Sequence, residues 1–121
     1  MNTDSPIEAA ALAEHLRNAL DDGKAVDIVV LDVTALTSIT DYMIIASGRS
    51  ARQAKALTSR VREAAAAVKV RPIGVEGENG AEWVLVDLGD VVVHIMQPAT
   101  REFYQLEKLW EERPRSQADA L

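Results

Sequence analysis

The chain has 121 residues, 48% of them apolar, a formal net charge of −6 and no cysteine. That length suits one domain with a real core, and the missing thiols exclude disulfides, thiolate metal sites and a cysteine nucleophile. No apolar run approaches the roughly 20 residues of a membrane helix, and the opening Met-Asn-Thr-Asp-Ser-Pro has neither the basic nor the apolar region of a secretory signal, so a cytoplasmic location is expected.

Residues 5–8, Ser-Pro-Ile-Glu, read as a helix start. Ser5 can cap, Pro6 suits the first helical position and Glu8 completes a capping box. Ala9, Leu12, Ala13, Leu16 and Leu20 follow at helical spacing, and Gly23 ends the helix. Residues 27–34 are rich in β-branched side chains and predict a strand. A polar connection over 35–40 leads to a second strand at 41–47. Gly48 and Ser50 turn that strand into a helix, with Ser50 and Gln53 as a second capping box. Its buried stripe is Ala54, Leu57, Val61, Ala64, Ala65 and Val68, and the arginines project from the other side.

Residues 70–75 predict a short strand, followed by a Glu-Gly-Glu-Asn-Gly loop. Residues 83–88 and 91–96 form a hairpin about the Leu88-Gly89-Asp90 connection. A last helix is expected over 98–110, with Phe103, Leu106, Leu109 and Trp110 inward. Residues 113–121 are polar, contain Pro114 and read as a disordered tail, which leaves one domain over residues 1–112. The order α-β-β-α-β-β-β-α, with near-continuous apolar strands, implies a single α/β sandwich whose mixed sheet is largely covered by helices.

Charge is unevenly placed. Arg49, Arg52, Lys55, Arg60, Arg62, Lys69 and Arg71 crowd one segment, opposed there by Glu63 alone. Between residues 72 and 96 there is no Lys or Arg, but there are Glu76, Glu78, Glu82, Asp87 and Asp90. The acidic segment would repel a phosphate backbone and attract a basic protein.

Side chains alternate faces along a strand, so Trp83, Leu85 and Asp87 share one face, and Val84, Val86 and Leu88 the other. A carboxylate flanked by Trp83 and Leu85 has the character of a binding surface. Trp83 fits ordinary core equally well, since tryptophan is both highly buried on average and enriched in interface hot spots.

Enzyme chemistry finds less support. The Ser47-Gly48-Arg49-Ser50 turn lacks the lysine and glycines of a P-loop, and capping alone explains Ser50 and Gln53. Gly74, Gly77 and Gly80 do not match the dinucleotide fingerprint and read as a flexible turn. His94, between Val93 and Ile95, reads as a packed or hydrogen-bonded histidine before a ligand or base. Asp87 and Asp90 lack the further converging ligands of a metal site, and no Gly-x-Ser-x-Gly elbow is present. No metal or cofactor is expected. The basic face from Arg49 to Arg62 reads as a solvated helix face, with RNA contact as its alternative.

Three stretches together resemble the ribosomal silencing factor, or Iojap, family: Asp41-Tyr42-Met43-Ile44-Ile45-Ala46-Ser47-Gly48 with Gln53, Gly74-Val75-Glu76-Gly77, and the run from Trp83 through Asp87-Leu88-Gly89-Asp90 to His94. Arg101 to Trp110 is similar to the family's C-terminal signature. The likeness runs from about Gly23 to Trp110, and Ser47 and Met43 stand where Thr and Phe are frequent.

The resemblance implies a nucleotidyltransferase-like α/β fold without the transferase's paired catalytic carboxylates, a homodimer and no enzyme activity. It implies binding to protein fourteen of the large ribosomal subunit, which blocks joining of the small subunit when nutrients are short. It places Trp83 and Asp87 on the partner surface. Leu85 joins them by strand alternation, and Met96 and Tyr104 are further candidates that depend on strand order and helix rotation. Arg49, Arg52 and Lys55 are candidates for an auxiliary contact with ribosomal RNA. The rival reading is a nucleotide-processing enzyme built on the same fold.

Overall fold

The computed structural model describes residues 7–111. Helix α1 (Ala9–Asp22) leads into β1 (Val26–Asp32) and β2 (Tyr42–Ser47), and α2 (Ala51–Ala67) follows. Then come β3 (Gly74–Glu76), β4 (Trp83–Asp87), β5 (Val91–Met96), α3 (Pro98–Tyr104) and α4 (Leu106–Glu111). The five strands form one sheet in the order β1-β2-β5-β4-β3. Only the central pair, β2 with β5, is parallel; the other pairs are antiparallel. The sandwich with a mixed sheet is thus as expected.

The central position of β2 and β5 explains their unbroken apolar runs. Met43, Ile44, Ile45 and Ala46, like Val91, Val93, Ile95 and Met96, are buried whichever face they occupy. On one face α1 contributes Leu12, Ala13, Leu16 and Leu20, and α2 contributes Ala54, Leu57, Val61 and Ala65. They pack on Ile44, Ala46, Val84, Val86, Val91, Val93 and Ile95. The other face is only partly covered. There Val33, Met43, Ile45 and Met96 form a second, smaller cluster beneath Leu36, Leu106 and Trp110. The expectation of a sheet largely covered by helices therefore holds for one face and fails for the other.

Helix starts follow their caps in one case of two. Ser50 Oγ accepts the Gln53 N–H at 3.0 Å, and Gln53 Oε1 accepts the Arg49 N–H at 2.7 Å, which reproduces the second capping box with its return bond one residue early. For α1 the helix begins at Ala9, so Glu8 is itself the cap and makes no side-chain cap bond. Ser5, Pro6 and the tail 113–121 lie outside the described residues. Gly23 is the C-cap of α1, and its lack of a side chain makes room for α2, since a Cβ there would lie 2.8 Å from Leu57 and 2.6 Å from Arg60. The left-handed residue is Lys24, at φ 69.

The expected last helix is two helices. Gln105 takes a left-handed conformation (φ 47) between them. Phe103 and Leu109, expected inward, are 78% and 62% exposed, while Leu106 and Trp110 pack on the sheet. The break is held by Arg101. Its guanidinium donates to both carboxylate oxygens of Glu107, at 2.8 and 3.1 Å, and to Ser47 Oγ at 2.8 Å. An uninterrupted helix would carry Glu107 away from that fork.

Candidate functional site

The pairing of β4 with β5 builds the site. Trp83 lies opposite Met96, Leu85 opposite His94 and Asp87 opposite Val92. One strand further in, Val92 neighbours Met43, His94 neighbours Ile45 and Met96 neighbours Ser47. All these residues stand on the face away from α1 and α2. Val84 and Val86 are wholly buried on the core side, and Trp83, Leu85 and Asp87 are half-buried on the other. The alternation expected for 83–88 is therefore present, with the strand ending at Asp87.

Trp83 is both core and rim. Its ring belongs to the smaller apolar cluster with Met96. It also meets the Tyr104 ring at 5.0 Å between centroids, and Tyr104 in turn meets Phe103 edge-on at 4.9 Å. Tyr104 is 53% exposed. Three aromatic rings thus run from the sheet to solvent at one end of the patch. Asp87 stands at the other end, where Oδ1 accepts the Gly89 N–H at 2.9 Å and so fixes both the hairpin turn and its own carboxylate. Its second oxygen has no hydrogen-bond partner among the described residues.

Met96 must be removed from the expected contact set. It is wholly buried beside Trp83 on the neighbouring strand, in the cluster against which the indole packs, so it offers no surface. In its place the structure brings His94 to the patch. His94 is 5% exposed, and Trp83 Nε1 donates to its Nδ1 at 2.9 Å. Burial lowers the imidazole pKa to about 4, so the ring is neutral at physiological pH. The sequence reading of a packed, hydrogen-bonded histidine holds, but the signal that ties it to the site is the β4–β5 register, which a linear sequence does not display.

The basic set is elsewhere. Arg49, Arg52 and Lys55 are exposed at the start of α2, which packs on the opposite face of the sheet. Arg62 is engaged by a two-pronged contact with Glu78, at 2.9 and 3.0 Å. Among the described residues no three His, Asp or Glu side chains converge as a metal site would need.

Of the three spaced glycines, only Gly77 is constrained. Its φ is +87, and a Cβ there would lie 2.1 Å from the Trp83 carbonyl oxygen, whereas Gly74 and Gly80 have nothing within 4 Å. Gly77 therefore lets the acidic loop pass against the backbone that carries Trp83. Gly77→Ala is expected to destabilise the protein by about 2 kcal/mol or more, since it combines a strained φ with a backbone clash. Urea denaturation checks this, with Gly80→Ala as a control that should change little.

Comparison with known proteins places this geometry. A family model described as "Ribosomal silencing factor during starvation" matches residues 6–121, further in both directions than the motifs alone reach. The ribosomal silencing factor RsfS of Haemophilus influenzae is 48% identical over 100 residues, covering 83% of this chain and 98% of that protein. The RsfS of Bacillus subtilis is 38% identical over 119 residues, covering 98% and 96%. A crystal structure of a Chromobacterium violaceum protein superposes with a TM-score of 0.85 at 44% identity, covering 91% of this chain and 92% of that one.

Proposed function

The chain belongs to the ribosomal silencing factor family, and we propose that it represses translation by binding the large ribosomal subunit through protein fourteen, so that the small subunit cannot join when nutrients are short. Regulation of translation on the ribosome follows from the family. The partner and the blocking step are our reading. The observation that carries it is the partly covered sheet face, where Trp83 and Tyr104 stand at one end, the fixed carboxylate of Asp87 at the other and Leu85 between them. An apolar patch with an acidic end fits a basic ribosomal protein better than RNA, because a phosphate backbone would meet like charge from Asp87, Asp90, Glu76 and Glu82.

Action by occupancy needs no catalysis, and we read the protein as a cytoplasmic, non-enzymatic factor. The exposed Phe103 and Leu109 support a homodimer through the α3–α4 surface. Arg49, Arg52 and Lys55 are candidates for an auxiliary RNA contact, from the opposite side of the sheet. Gradient sedimentation with separated subunits tests the main reading. The protein is expected to travel with the large subunit, to be absent from the small-subunit peak and to lower the yield of joined ribosomes. Travel with the small subunit alone would refute it.

A further inference from the structure

His94 has one ring nitrogen that the fold uses and one that it does not. The Trp83 indole N–H can only donate, and it ends 2.9 Å from His94 Nδ1. Nδ1 must accept, so the single proton of the neutral ring is on Nε2. Among the described residues Nε2–H has no hydrogen-bond partner, although His94 is 5% exposed. Nor does any described side chain hold a nitrogen or oxygen that is both shut off from solvent and unpartnered. Nε2 is therefore in contact with solvent. It lies on the face where Leu85 is directly opposite and Val92 is two residues along the same strand. A nearly buried N–H donor that meets solvent, its tautomer fixed from behind, is preorganised for an acceptor brought by a partner.

We propose that His94 Nε2–H is the hydrogen-bond donor by which this face receives a backbone carbonyl oxygen of its polypeptide partner. The surroundings select the acceptor. A phosphate or carboxylate would lose its hydration among Leu85 and Val92 and would meet the charge of Asp87, the residue opposite Val92. A backbone carbonyl is neutral, accepts strongly and lies on every extended segment of a protein. The inference rests on the reading of this face as the partner surface, and it gives that surface a directional contact beside the apolar one of Trp83 and the ionic one of Asp87.

The test has a spectroscopic arm and a binding arm. Nitrogen-15 NMR of the free protein should show the Nε2–H tautomer, and the His94 Nε2 resonance should shift on titration with isolated ribosomal protein fourteen. In the binding arm, His94→Leu should weaken association with isolated large subunits tenfold or more, because the partner's carbonyl is left unpaired. His94→Gln carries an amide N–H to nearly the place of Nε2 but, like His94→Leu, gives the Trp83 indole no Nδ1, so it should bind at least threefold more tightly than His94→Leu, and equal binding by the two would overturn the donor. An Nδ1–H tautomer, or a resonance unmoved in the complex, overturns the proposal even if His94→Leu fails to fold. Wild-type binding by a folded His94→Leu, while Trp83→Ala and Asp87→Lys lose it, overturns the donor and leaves the face as the site. Wild-type binding by all three removes the face, and the donor with it.

Discussion

Trp83→Ala and Asp87→Lys are each expected to weaken binding to the large subunit at least tenfold, but with different consequences for the fold. Truncating a tryptophan hot spot typically costs about 2 kcal/mol or more of binding. Here the same ring also packs on the cluster that holds Met96, stacks beside Tyr104 and donates to His94 Nδ1. Its loss leaves a cavity over the smaller cluster and an orphaned acceptor, so stability should fall by roughly 2–4 kcal/mol as well. Asp87→Lys loses one hydrogen bond, the one from the Gly89 N–H, which is worth about 1 kcal/mol. It also reverses a charge toward a basic partner, which acts on binding far more than on folding. Calorimetric binding and urea denaturation on both variants separate the two effects. Binding by Asp87→Lys within twofold of wild type would remove Asp87 from the site. Arg52→Glu, on the far side of the sheet, should change binding much less.

What the sequence displayed and what it concealed divide along one line. Features set by neighbours in the chain were legible. The alternation of Trp83, Leu85 and Asp87 against Val84 and Val86 follows from a period of two, and the Ser50–Gln53 cap from a three-residue spacing. The near-continuous apolar strands pointed to a mixed sheet under helices, which the α1–α2 face bears out. Features set by remote partners were not legible. The α3–α4 break depends on Arg101 reaching Ser47, 54 residues away. Helical periodicity in residues 98–110 therefore placed Phe103 and Leu109 inward when the structure turns them out. Met96 and His94 sit on the same face of the same strand. Register decided that Met96 would be buried beside Trp83 and that His94 would carry the indole's hydrogen bond. Trp83 fitted core and surface equally from sequence because, in the fold, it is half-buried: it packs on the smaller cluster and keeps one side toward solvent.

Acid should unfold this protein through His94. The group has a depressed folded-state pKa, about 4 against an ordinary 6.5, and the cause is burial. Between those values the unfolded chain binds a proton that the folded chain does not. Its contribution to stability is whole above about pH 6.5, declines as pH falls through that interval and is gone below about 4. The difference corresponds to about 3 kcal/mol, a large share of the 5–15 kcal/mol typical of a small domain. Carboxylates titrate nearby in pH, so the comparison must be made against His94→Gln, which keeps every carboxylate and lacks the imidazole. From pH 7 to pH 4.5, wild type should lose about 2–3 kcal/mol more in urea denaturation than the variant does. Equal losses in the two proteins would show that His94 does not resist protonation in the fold. The same hydrogen bond ties this acid response to the face we propose for binding. Trp83 keeps its acceptor only while Nδ1 is unprotonated, so subunit binding should be flat between pH 6 and 8, where the folded imidazole stays neutral. A proton on Nδ1 would set two donors against each other and free the indole, so below about pH 4 the anchor and the fold should be lost in one transition rather than two.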